Sequence, residues 1–250
     1  MRTAIAAVAA IVAANSASAE AHETSTWEGR LVVYGWFSGI EGDVTGRNRG
    51  ASAGVSLSPG DVLDKLETGL FALGGLSRGR FGGIFDAAYV DLSDSQDVGP
   101  RLGGRIDGDT ALTMITAAGF YRAVQEAEIS IDLYGGARYT HVDVDLTASL
   151  GGGALSRSAS ADDDWVDPII GFRAMAPITA RVAVTGLADI GGFGVGSDFS
   201  AQLFGGATFQ ITERLSAEAG LRYMRIDREA DRVDMDIDLW GPTVGVAVEF

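Results

Sequence analysis

Few side chains here are suited to bond-making chemistry, and most of those are acidic. The 250 residues contain two histidines and no cysteine. His22 falls in an extended leader. His141, near the end of an alternating segment, is the realistic general base. Ser156, Ser158 and Ser160 follow in the next link, and a serine activated by His141 would make a hydrolase. No His-x-Ser pair accompanies them, so His141 is expected to be a strand-end residue, with no catalytic residues in the chain.

The acids form a second set. Asp162, Asp163 and Asp164 cap a long link, and Asp234, Asp236 and Asp238 alternate on one face of the last segment. Asp43 and Asp227 come to adjacent strands if the sheet closes. Converging carboxylates can hold Ca²⁺ or Mg²⁺, which makes Asp43, Asp227, Asp234 and Asp236 a weak candidate rim for divalent cations. No EF-hand-like spacing is present, and charge runs of this kind usually face water; no bound metal is expected. The run Gly191 to Gly196 contains G-x-G spacing, but neither it nor Gly151 to Gly153 opens a helix after a strand, as phosphate cradling requires. These are turn glycines, and no cofactor is expected.

A third set carries the most physical content. Asp86, Asp132, Arg138, Arg173, Asp189, Glu218 and Arg222 all sit mid-segment on the more polar parity, with Asp167, Gln202 and Thr208. Opposite them runs an apolar parity. The period-two pattern predicts strands near 30–46, 66–78, 80–93, 106–122, 127–147, 164–177, 179–191, 199–211, 214–227 and 235–250. Ala51 to Leu57 is a further short strand inside a loop, and Asp61 to Glu67 is a short helix. The connections alternate: 78–80, 123–126, 177–179 and 210–214 are tight, whereas 47–65, 94–105, 148–163, 192–198 and 228–234 are long. A transmembrane barrel has this rhythm, with short turns on the periplasmic side and long loops outside.

The aromatics give an independent check. Phe81, Phe120, Phe209 and Phe250 fall at short-turn ends, and Tyr89, Tyr139, Tyr223 and Trp240 fall toward long-loop ends. That is the two-girdle pattern of membrane interfaces. From Trp240 to Phe250 a strand spans roughly 33 Å, about the depth of the apolar band when tilted. On the lipid face an arginine would cost about 2–4 kcal/mol at the midplane; facing a lumen, the charges can pair. The fold class expected is all-β, a closed antiparallel transmembrane barrel of about ten strands, with eight or twelve as the neighbouring even counts.

Residues 1–19 have the form of an export signal: Arg2, the apolar run Ala4 to Ala14, and Ala17-Ser18-Ala19 before Glu20. Residues 20–29 are expected to be a short leader and 30–250 the barrel. A net charge of −15 argues against a nucleic-acid partner, because no basic patch is available to neutralise phosphates. Glycine, at 35 of 250 residues with 5 prolines, suits bending strands better than linkers.

Tyr34-Gly35-Trp36, Trp165 to Pro168 with Gly171-Phe172-Arg173, Ala188 to Asp198, Gly220 to Tyr223 and the terminal Phe250 give the chain a family likeness. It resembles the small Gram-negative outer-membrane β-barrel proteins, the OmpA- and OmpW-like superfamily, over nearly all of the mature chain. The resemblance implies location in the cell outer membrane and contact with its lipid; the acidic loops are expected to contact divalent cations or lipopolysaccharide. It also implies recognition by the outer-membrane assembly machinery through Val244, Val246, Val248 and Phe250. The expected role is structural or surface-exposed, in a monomer that is not an enzyme, with a charge-lined and plugged lumen. The alternatives are a narrow pore for small ions or solutes and a lipid-modifying barrel enzyme centred on His141.

Overall fold

The computed structural model describes residues 26–46, 51–98, 104–126, 129–150, 155–230 and 233–250. The candidate export signal lies outside them. The elements are β1 (Trp27–Trp36), β2 (Gly39–Gly46), β3 (Ala51–Leu57), α1 (Pro59–Lys65), β4 (Leu66–Arg78), β5 (Phe81–Val98), β6 (Gly104–Glu126), β7 (Ile129–Leu150), β8 (Leu155–Pro177), β9 (Val182–Gly192), β10 (Phe199–Gln210), β11 (Leu215–Glu229) and β12 (Val233–Glu249). Each barrel strand pairs antiparallel with its neighbours, and β1 closes the ring on β12 from Arg30↔Glu249 to Trp36↔Thr243. Ten strands form the barrel, while β2 and β3 stand on its outer end. The C-terminus completes the seam, where Phe250 exchanges backbone hydrogen bonds with Gly29 at 2.7 and 2.9 Å.

The segment expected as one strand over 30–46 is a single line with a break. β1 and β2 both pair with β12 in the same register, Trp36↔Thr243 and then Gly39↔Trp240. Pro242 lies opposite the gap and has no N–H to give to the ladder, although its carbonyl still accepts from Phe37 at 2.9 Å. α1 follows β3 and is stopped at its start by a capping box: Ser58 Oγ accepts from Asp61 N, and the Asp61 carboxylate accepts from Ser58 N.

Strand ends moved in two ways. β1 begins at Trp27, so the barrel takes in residues expected in the leader. β5 to β8 run well past their expected ends, leaving far shorter links than 94–105 and 148–163. These extensions, rich in Asp, Ser, Thr and Gly, stand beyond the bilayer with water on both faces. With no apolar face to bury, they carry no period-two contrast to read.

The barrel is inverted relative to a soluble protein. Val33, Leu70, Phe81, Leu133, Ile170, Leu203, Leu221 and Val246 are exposed on the outside, while Asp86, Asp132, Arg138, Asp167, Asp189 and Arg222 are buried inside. So large an apolar belt is a lipid face.

Candidate functional site

The lumen is layered. At the centre, side chains from β1, β5, β10 and β11 converge across the barrel. Arg222 donates to Asp86 Oδ2 at 3.0 Å, to Tyr34 Oη at 2.7 Å and to Gln202 Oε1 at 2.6 Å. Tyr34 Oη donates in turn to Asp86 Oδ1 at 2.7 Å. The Arg222 guanidinium lies over the Trp36 ring, 4.7 Å from its centroid, adding cation–π attraction to the ion pair. Beside it, Arg138 Nη2 spans both oxygens of Asp189 at 2.9 and 3.0 Å, and Tyr134 Oη donates to the same carboxylate at 2.8 Å. Charge this deep is tolerable because each ion has a hydrogen-bonded partner.

Outward of Arg222 the lumen becomes apolar. Trp36, Phe71, Met114, Trp165, Met224 and Leu239 form one buried cluster, with Met224 entirely inaccessible. A polar clamp covers it. Asp167 accepts from Trp165 Nε1 at 3.2 Å and from Ser197 N and Oγ at 2.6 and 2.8 Å. Arg228 grips Asp163 at 2.8 and 2.9 Å, donates to the Gly196 carbonyl and lies over the Trp165 ring. A side chain at Gly196 would collide with the Val166 carbonyl and with Asp167. This close approach accounts for the glycine-rich run, which closes the turn between β9 and β10.

On the periplasmic side of Arg222 the lumen widens into an open chamber of about 700 Å³. Asp132 lies between Arg122 at 2.9 Å and Arg173 at 2.6 Å. Across the barrel, Arg30 pairs with Glu249 at 2.5 Å and also with Glu218, which accepts from Thr208 at 3.3 Å.

All ten polar residues expected in the lumen face it. Asp132 meets Arg173 on the neighbouring strand, and Arg138 meets Asp189. Arg222 crosses the barrel to Asp86. Sequence reasoning missed Tyr34, Tyr134, Trp36, Trp165 and Arg228. Their inward parity was available as a signal, since each lies two residues from another inward residue of its strand or link.

The girdles need one correction. Phe81, Phe209 and Phe250 are exposed at the periplasmic end, and Tyr89, Tyr139, Tyr223 and Trp240 lie on the outward parity, Tyr223 directly opposite Trp240. Phe120 points into the lumen, only 6 % exposed, packed with Tyr134 and Ile169. Tyr121 takes the girdle position, 5.2 Å from Phe81 between ring centroids. Phe120 shares the parity of Arg122 and Thr116, and those polar neighbours fix its face. Val244, Val246, Val248 and Phe250 all face outward.

Gly82 makes room for the Phe120 ring. A Cβ there would run into that ring and into the Leu76 carbonyl oxygen, whereas one at outward Gly83 would meet nothing nearer than the Ala118 carbonyl oxygen at 3.7 Å. Gly82→Ala is therefore expected to cost about 1–3 kcal/mol through overpacking, and Gly83→Ala less than about 0.5 kcal/mol. Urea unfolding of the two variants in lipid checks the difference.

Asp43, Asp236 and Asp227 line up across β2, β12 and β11, with Asp234 two residues along. Arg225 binds Asp236 at 2.8 Å and lies 3.8 Å from Asp238. Partial burial, then the charges of Asp236 and Asp198, push the Asp227 carboxyl above the usual range. Among the described residues no group of three or more acids or histidines is arranged to hold a metal ion. His141 is on the outward parity, opposite Thr113 and Asp164. The serines named with it pair further out: Ser160 faces Asp145, and Ser158 faces Thr147. They lie four or more residues beyond His141, so no serine–histidine pair forms there.

No family model matches the chain, and no curated protein matches it. Among solved structures, the outer membrane protease OmpT from Escherichia coli aligns with a TM-score of 0.59 and 9% identity, over 92% of this chain and 99% of that one. The fold is that of an outer-membrane β-barrel. Looser matches are the translocator domain of the autotransporter NalP from Neisseria meningitidis (TM-score 0.42, 13% identity, 89% of this chain and 88% of that one) and Ail, the attachment invasion locus protein of Yersinia pestis (0.35, 13%, 90% and 98%). The lipid face and this fold together place the chain in the cell outer membrane.

Proposed function

We propose that this barrel is a structural, surface-exposed protein of the outer membrane whose lumen is sealed, and that it has no enzymatic activity. One observation carries the reading. The apolar cluster around Trp36, Trp165 and Met224 sits directly on the Arg222–Asp86–Tyr34 network, so a solute must displace packed hydrocarbon and a paired charge in succession. Hydrophobic constrictions gate by excluding water, and a ten-stranded barrel is only slightly wider than the eight-stranded barrels that side chains fill. The outward valines of β12 and Phe250 after it are the segment that the assembly machinery would read. The acidic extensions beyond the outer girdle would meet lipopolysaccharide headgroups in a monomer.

Planar-bilayer recording tests the seal. Purified wild-type protein is expected to give no discrete conductance, and reproducible steps would replace this reading with a narrow pore. An altered lipid A profile on deletion of the gene would instead bring back a lipid-modifying enzyme.

A further inference from the structure

The periplasmic chamber is built in a way that a structural plug does not need. Its wall carries Val32, Leu73, Ile84, Phe120, Leu187 and Phe204, facing a space open to water. Hydrocarbon left against water is a cost that burial would recover. A volume of about 700 Å³ falls in the range of small-molecule sites, which are mostly apolar with a few convergent polar groups.

Those polar groups are unequally presented. Arg122 and Arg173 flank the Phe120 ring at 5.8 and 5.4 Å and share the single carboxylate of Asp132. Two cations on one anion leave a positive surplus. The two arginine side chains keep 17% and 20% of their surface, while Asp132 keeps 3%. The carboxylate is thus hidden behind the cations, and the guanidinium donors are what the chamber meets. Across the chamber, Arg30 with Glu218 and Glu249 leaves the opposite surplus.

We propose that this chamber binds a single-chain amphiphile with an anionic head. The carboxylate or phosphate sits on Arg122 and Arg173, where a planar guanidinium fork suits either group. The alkyl chain lies along Leu73, Ile84, Leu187 and Phe204. Entry is from the periplasmic end, past Glu28 and Arg214. The acidic surplus around Arg30 disfavours the reverse orientation. The dead end of the chamber rests on the sealed-lumen reading, whereas its head and chain contacts do not.

Methyl NMR of the full barrel in phosphatidylcholine nanodiscs tests this. Ile84 and Leu187 report from inside the chamber, and outward Leu133 controls for amphiphile dissolved in the lipid. Dodecanoate and dodecyl phosphate are titrated against dodecyltrimethylammonium and against inorganic phosphate. The expected result is saturable shifts at Ile84 and Leu187 with either anionic amphiphile, at least tenfold tighter than with the cationic one and absent with inorganic phosphate. The tighter of the two anionic probes names the head group. Arg173→Gln, which leaves Asp132 paired with Arg122, should weaken binding about tenfold. Thr185→Trp should block the chamber without touching an ion pair, with the heat-dependent gel shift confirming a folded barrel. The proposal is overturned by equal binding of the cationic amphiphile, by full binding in Arg173→Gln or folded Thr185→Trp, by saturation with inorganic phosphate alone, or by no saturable shift in the wild type. A leaky seal would appear separately, as wild-type conductance.

Discussion

Arg138→Met should be among the most damaging single substitutions in the chain, costing about 3–5 kcal/mol of folding stability. Arg138 is 1% exposed and Asp189 is 4% exposed. Without the guanidinium, Asp189 keeps only the hydroxyl of Tyr134 and is left a buried charge without a counter-ion. The penalty comes from stranding that charge, not from losing a favourable pair. Arg138→Met combined with Asp189→Leu should therefore regain most of the loss, because an apolar pair of similar volume strands no charge and leaves only the Tyr134 hydroxyl without its acceptor. Arg225→Met is the control: Arg225 and Asp236 pair at 2.8 Å but are 38% and 52% exposed, so this change should cost no more than about 1 kcal/mol. Reversible urea unfolding in lipid measures all three variants against the wild type. If Arg138→Met and Arg225→Met cost the same, burial is not what makes the lumen pair matter.

The contrast between these pairs shows what could be read from sequence. Strand number, the alternation of short and long connections, and the inward set from Asp86 to Arg222 all follow from period two, because one face of each strand meets lipid and the other cannot. Phe120 was misplaced for a specific reason. Phe120 and Tyr121 are adjacent aromatics, so either parity offers a girdle residue, and only Arg122 and the side-chain-free Gly82 beneath the ring decide between them. The tall extensions of β5 to β8 were invisible because both their faces are wet. Partner choice across the lumen was also beyond reach. Asp86 and Arg222 are 136 residues apart on strands that are not neighbours, so no local spacing encodes their contact. Their meeting depends on closure of the ring.

That same crossing sets up the strongest functional test, which is to open the seal. The cluster outward of Arg222 has Trp36 as the platform for Arg222 and Trp165 as the platform for Arg228, with Met224 fully buried between strands. Truncating one of them leaves a void that the rest of the cluster still closes off, so no continuous water path forms. Trp36→Ala alone should therefore remain silent in planar bilayers, although it costs about 3–5 kcal/mol in stability. Combining Trp36→Ala, Trp165→Ala and Met224→Ala removes both ring platforms and the central side chain at once. The voids then merge and reach the polar groups of Arg222 and Asp167, which can anchor water. Discrete conductance steps are expected from the triple variant, provided its heat-dependent gel shift shows a closed barrel. Arg173→Ala should open nothing, because Arg173 lies in the chamber on the periplasmic side of the seal. A folded triple variant that stays silent would move the barrier to the ion layer, and Arg222→Gln added to it should then produce the steps. If the wild type already conducts, and Arg173→Ala abolishes the steps, the selective element is the chamber and the apolar cluster is not a seal.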